Sequence, residues 1–98
     1  MTTDNQIRED LKDIRYYYSL QKVFEQGAKY VRPVAVLQMV DRYNNAMQNA
    51  PAQLYALYVS LYIQNNSQTA LAEEWGYARP YIRDLNDKLV SYLQNNLK

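Results

Sequence analysis

Apolar residues recur along this chain every three or four positions, and few stretches alternate apolar and polar at a period of two. That periodicity predicts an all-α fold of about five helices, a helical hairpin followed by a C-terminal helix-turn-helix. The first helix is expected from Asp4 to about Gln26, capped by Asp4 or Thr3. Ile7, Leu11, Ile14, Tyr18 and Gln21 fall at spacings of four, three, four and three, and Tyr17 and Phe24 broaden the stripe. Such a seam packs on another helix, either in the chain's own core or on a second subunit. Arg8, Glu9, Lys12, Asp13 and Arg15 give the other face mixed charge, the mark of a solvated surface. Gly27 can end this helix. The connector Gly27 to Pro33 is locally basic through Lys29, Tyr30 and Arg32, which suits either a phosphate-contacting loop or ordinary soluble surface.

A second helix is predicted from about Pro33 to Gln48, with Val36, Val40, Tyr43 and Met47 as its stripe and Leu37 alongside. Asn44, Asn45, Gln48 and Asn49 weaken its end. Asn49 can cap the next helix and Pro51 can open it. That third helix, Pro51 to about Gln64, is apolar nearly all round. Leu54, Leu57, Tyr58 and Leu61 make one face; Tyr55, Val59 and Tyr62 make another. A helix of this kind must be covered on both sides. Asn65–Asn66 is a short link to the next helix. The division read from this pattern is a hairpin over residues 1–49 and a second module over residues 50–98.

The stretch Ser67 to Leu93 organises the rest. Ser67 is a good N-cap, because its hydroxyl can accept a backbone N–H left unpaired at a helix start. A short helix to Trp75 comes next, and Gly76 is free to take the left-handed conformation that ends it. Pro80 belongs in the first turn of the second helix of this stretch, where its missing N–H is harmless. Ile82, Leu85, Leu89 and Leu93 form one apolar stripe. Arg79, Arg83, Asn86, Asp87 and Val90 are expected away from it.

This stretch resembles the DNA-binding helix-turn-helix of bacterial sigma factors, in the version found in small phage late transcription regulators of the ArpU and RinA type. Leu71, Trp75, Tyr77, Ile82 and Leu85 match the core positions of that pattern, Ala72 its close helix crossing and Gly76 its turn. Arg79 and Arg83 match two DNA-facing positions. Lys88 and Leu89 match the later basic and apolar ones. Ala50 to Asn66 is similar to the preceding helix and loop. Departures fall at Ala78, Pro80 and Asp84, where the pattern has a Ser or Thr cap, an acidic residue, and a Gln or similar. The resemblance implies binding to double-stranded DNA and action on RNA polymerase at a promoter.

Composition narrows the chemistry. With 98 residues the chain is expected to form one domain, or one domain with an arm. Cysteine and histidine are both missing, which removes disulfides, thiolate nucleophiles, imidazole bases and the usual zinc ligands. That fits a reducing, cytoplasmic setting. The start of the chain does not read as a secretory signal, and no apolar run approaches the ~20 residues that span a bilayer. The neighbouring acids Glu9–Asp10 and Glu73–Glu74 diverge on a helix. The serines lack an imidazole base, and there is no glycine-rich phosphate loop. No enzyme, cofactor or metal is expected.

Net charge is +1, less basic than most free-standing DNA binders. Eleven tyrosines suit half-buried packing, subunit interfaces or phosphate contacts. The expected DNA-binding residues are Gln68, Thr69, Arg79, Tyr81, Arg83 and Asp84. Arg79 and Arg83 lie one turn apart, where an arginine fork can read guanine; alternatively Arg83 pairs with Asp87 on a solvated face. Tyr81 is expected outward, near sugar or phosphate. Gln68 and Thr69 can present backbone N–H groups to a phosphate. Trp75 and Tyr77 are expected in the core. A homodimer is expected through the first helix and the Tyr55, Val59 and Tyr62 face. The competing expectation is a protein-interaction adaptor that keeps the helix-turn-helix as a scaffold.

Overall fold

The computed structural model describes residues 2–25 and 34–97. The expected connector Gly27 to Pro33 lies outside the described residues, as do the side chains of Gln21 and Phe24. Among the described residues the fold is all-helical. The order is α1 (Asp4–Glu25), α2 (Val34–Met47), α3 (Ala52–Tyr58) running into a π-helical segment (Val59–Ile63), α4 (Gln68–Trp75) and α5 (Arg79–Asn96). No helix among these residues is long and apolar enough to cross a membrane.

The helix starts obey local chemistry. Thr3 Oγ1 accepts the Gln6 N–H at 3.2 Å and caps α1, while the Asp4 carboxylate turns to Arg8 Nε at 2.6 Å. At α3 the expectation is corrected. Pro51 occupies the cap position with extended backbone (φ −52°, ψ 143°), no side chain caps the helix, and Asn49 plays no part. The Pro51 carbonyl accepts the first intrahelical bond, from the Tyr55 N–H at 3.0 Å, so the helix opens at Ala52.

Helix α5 is the hub, packing on α1, α2, α3 and α4. Ile82, Leu85, Leu89 and Leu93 are buried as the periodicity predicts. Asn86 and Val90, expected off that stripe, are buried too. The reason is tertiary: α1, α2, α3 and α4 all pack on α5, and the Tyr62 hydroxyl meets Asn86. The buried sector therefore spans about 140° at 3.6 residues per turn. One continuous cluster joins Ile7, Leu11 and Ile14 of α1 to Val40, Tyr43 and Met47 of α2 and to the α5 face. The Ile7, Leu11 and Ile14 part of the α1 seam is thus covered within the chain. Of the face expected to pair two copies, Tyr55 is 47% exposed, and Val59 and Tyr62 are half-buried.

The third helix also departs from its expected form. It does not run as an α-helix to Gln64 but widens into the π-helical segment, where the Gln64 N–H bonds Val59 O at 2.8 Å. Asn65 then takes a left-handed φ of 61°, and its side-chain oxygen accepts from Arg15 Nε. The Asn66 backbone N–H reaches Ser60 O at 3.0 Å, and its side-chain amide donates to Ser60 Oγ at 3.0 Å. A helix apolar on every side is pulled by α1, α4 and α5 together. Leu57, Tyr58, Ser60 and Leu61, at helical spacings of one, two and one, face inward along it.

Many of the tyrosines join one helix to another. The Tyr43 hydroxyl donates to Asp10 Oδ2 at 2.7 Å, and Gln6 Nε2 donates to the other oxygen of that buried carboxylate at 2.9 Å. The Tyr58 hydroxyl donates to Asn44 Oδ1 at 2.7 Å, and Asn44 Nδ2 donates to the Tyr18 hydroxyl at 2.9 Å. One asparagine thereby ties α2 to α1 and α3. The Tyr92 hydroxyl donates to Ala46 O at 2.7 Å, and the Tyr62 hydroxyl donates to Asn86 Oδ1.

Ala72 is buried on α4, which packs on α5, so Ala72→Leu is expected to destabilise the fold by about 1–3 kcal/mol through overpacking. An unchanged melting temperature would contradict the close crossing. A second prediction concerns pH. Burial, with help from the Asp10 bond at Tyr43, raises the phenol pKa of Tyr43, Tyr58 and Tyr62 above the ordinary value. A raised folded-state pKa means the stabilisation is complete below the unfolded value of about 10 and is lost as pH rises through the folded values. Circular-dichroism melting is expected to fall progressively above about pH 10. Phenolate absorbance from these three residues should appear only on unfolding; their free titration in the folded protein would refute it.

Candidate nucleic-acid interface

The two-helix unit is built by local bonds. Ser67, in extended backbone, accepts the Ala70 N–H on its hydroxyl at 3.0 Å. Gly76 ends α4 at φ 73°. The Tyr77 N–H reaches back to Ala72 O at 2.9 Å and the Gly76 N–H to Glu73 O at 3.3 Å, the paired closure of a Schellman turn. A Cβ added at Gly76 would meet nothing within 4 Å. Glycine is therefore required there by backbone angle and not by space. Ala78 then stands at the α5 cap position without a side-chain cap, and Pro80 lies in the first turn.

Arg79, Arg83, Tyr81, Asp84 and Thr69 are all exposed, and Gln68 is half-buried. Counted at 3.6 residues per turn, Arg83 lies at one edge of the exposed arc of α5, and Arg79, about 40° further round over the buried sector, is exposed as the first residue of the helix. Tyr81 sits about 160° from both, at the opposite edge, and Asp84 lies near the middle. The helix thus brings the two arginines together and separates them from Tyr81. Gln68 and Thr69 stand at the other helix's start, where the Ser67 hydroxyl has already taken the Ala70 amide.

Charge pairing separates two residues that helical spacing alone would link. Asp87 does not pair with Arg83. It accepts from Arg8 Nη2 of α1 at 2.9 Å, and Arg8 is held as well by Asp4. Among the described residues neither Arg79 nor Arg83 has an ion-pair partner.

The fold adds two participants that the sequence pattern does not announce. Tyr77, expected in the core, is 45% exposed, and its ring meets that of Tyr81 at 4.5 Å between centroids with 48° between planes. Tyr77 lies just past the Schellman turn without joining the core, whereas Trp75, one residue before Gly76, packs partly on it. Gln53 of α3 donates its side-chain amide to the Tyr81 hydroxyl at 3.4 Å. The four-residue spacing of the two tyrosines is a signal present in the sequence; nothing comparable marks Gln53.

Because both arginines are exposed and unpaired, Arg79→Ala and Arg83→Ala are each expected to change unfolding free energy by no more than about 0.5 kcal/mol, as measured by urea titration. A larger loss at Arg83 would assign it a structural role. Comparison with protein-family models, with curated proteins and with solved structures found no match to this chain.

Proposed function

We propose that this chain is a phage-type transcriptional regulator that binds duplex DNA through its sigma-like helix-turn-helix and acts with RNA polymerase at a promoter. The observation that carries the reading is the pair Arg79 and Arg83. Both are exposed and free of carboxylate partners among the described residues. They stand in the opening turns of the second helix of a tightly closed two-helix unit. In such units the N-terminal residues of the second helix enter the major groove. The first helix then lies across the backbone, where the Gln68 and Thr69 amides suit a phosphate.

The tightness of the turn matters here. A Schellman closure fixes where α5 starts relative to α4, so the two arginines are presented at one set position. Their charge is not neutralised inside the protein, because Arg8 and not Arg83 takes Asp87. With a net charge of +1 the affinity for random DNA is modest, since phosphate neutralisation supplies most of that term.

The exposed Tyr77–Tyr81 pair favours a second reading, an adaptor that binds protein through this surface, because tyrosine is enriched at binding hot spots. Fluorescence anisotropy on random and promoter duplexes separates the two. Arg79→Ala and Arg83→Ala are each expected to weaken duplex binding by about 1–3 kcal/mol or, for a phosphate contact, to lower the salt slope by about one. Undiminished affinity in both folded variants, or no duplex binding by the native chain, selects the adaptor.

A further inference from the structure

We infer that Asp84 is the base-reading residue of this surface and selects the exocyclic amino group of cytosine, while the arginines and tyrosines hold the two backbones beside it. The inference rests on the duplex-binding reading above and assigns the parts of that site.

The helix geometry carries it. An α-helix with its side chains is about 10–12 Å across, and the major groove is about 12 Å wide. A helix lying in the groove fills it from wall to wall. The residues at the centre of its exposed arc meet base edges, and those at the two margins meet the two sugar-phosphate walls. On α5 the margins are Arg83 on one side, with Arg79 beside it at the helix start, and Tyr81 on the other, about 160° from Arg83. Asp84 falls between them, about 100° from Arg83 and about 60° from Tyr81. Of its exposed neighbours on that arc, Pro80 has no polar side-chain group to offer a base, and Ser91 lies about two turns further along the helix, away from its N-terminal end.

Charge pairing supports the same assignment. The two carboxylates on the exposed side of α5 are treated differently by the fold. Asp87 is tied to Arg8 at 2.9 Å, and that guanidinium also grips Asp4. Asp84 is exposed and has no cation partner among the described residues. An unneutralised carboxylate in the middle of a DNA-facing arc repels phosphate wherever it meets the backbone, so its favourable place is the groove floor. There it can only accept, and cytosine N4 is a donor that an aspartate can reach from the major groove. The Arg79 and Arg83 guanidinia at one wall suit phosphate oxygens of one strand. At the other wall Tyr81 is positioned by the Gln53 amide and the Tyr77 ring, so its hydroxyl can serve the second strand.

The roles are the reverse of the simplest expectation for each residue: the arginines position and the aspartate specifies. This is tested by selecting bound duplexes from a library with a randomised centre, using the native chain, Asp84→Asn, Asp84→Ala and Arg83→Ala. The native chain should enrich cytosine at one fixed position, with roughly 5- to 150-fold discrimination against other bases. Asp84→Asn should move that position to adenine, whose N6 and N7 match an amide. Asp84→Ala should erase the preference there and leave the other positions intact. Arg83→Ala should weaken all sequences evenly and reduce the salt slope by about one. If Asp84→Ala binds every duplex more tightly with an unchanged motif, Asp84 only repels phosphate; the base-reading assignment then fails while duplex binding stands. If the native chain retains no duplex at all, both the function and this assignment fall.

Discussion

The burial of α5 is the constraint on which the rest of this fold depends. Its inward residues meet α1, α2, α3 and α4 at once, so it is the common partner of every other helix. Fully burying a side chain such as Leu89 or Val90 is worth about 1.5–3 kcal/mol, and the α5 sector holds several of them. A polar side chain, Asn86, is carried into the interior with them. The Tyr62 hydroxyl meets it, which keeps the amide oxygen from being an unpaired acceptor in the core.

That exchange is repeated across the molecule. Asp10, Asn44 and Ala46 each receive a tyrosine hydroxyl from a different helix. A tyrosine contributes apolar area along its ring and a hydrogen bond at its tip, so it can cross a small core and still satisfy a polar group on the far side. A chain of this size has limited interior, and directional bonds between helices add registration that leucines alone do not supply. The absence of any buried side-chain polar atom without a partner among the described residues is the outcome of that arrangement.

Rigidity around the two-helix unit has a functional side. The arginine edge of α5 looks toward α1, where Arg8 removes the competing carboxylate Asp87. The tyrosine edge looks toward α3, where Gln53 reaches Tyr81. Helices α1 and α3 therefore shape the two margins of the proposed DNA-binding surface. Exposed ion pairs such as Arg8–Asp87 add little stability, but this one decides which of the two exposed carboxylates of α5 is left without a cation partner among the described residues.

Local chemistry along the chain was enough to place the helices, because capping, turn formation and apolar periodicity act over a few residues. Ser67, Gly76 and Pro80 mark α4 and α5 at the positions the structure shows, and the Ile7, Leu11 and Ile14 seam is buried as expected. Features that depend on partners distant in sequence were settled only by the packed fold. The second flank of α5, with Asn86 and Val90, is buried because four other helices pack on α5 and the Tyr62 hydroxyl meets Asn86. The π-helical segment has no mark in the apolar pattern. Tyr77 is exposed with its ring against Tyr81, a placement that hydrophobicity alone assigns wrongly. Arg83 and Asp87 stand one turn apart in sequence, yet Asp87 is taken by Arg8, 79 residues away. Helical spacing names the pairs that can form, and tertiary packing chooses among them, because a carboxylate binds whichever guanidinium the fold holds nearest.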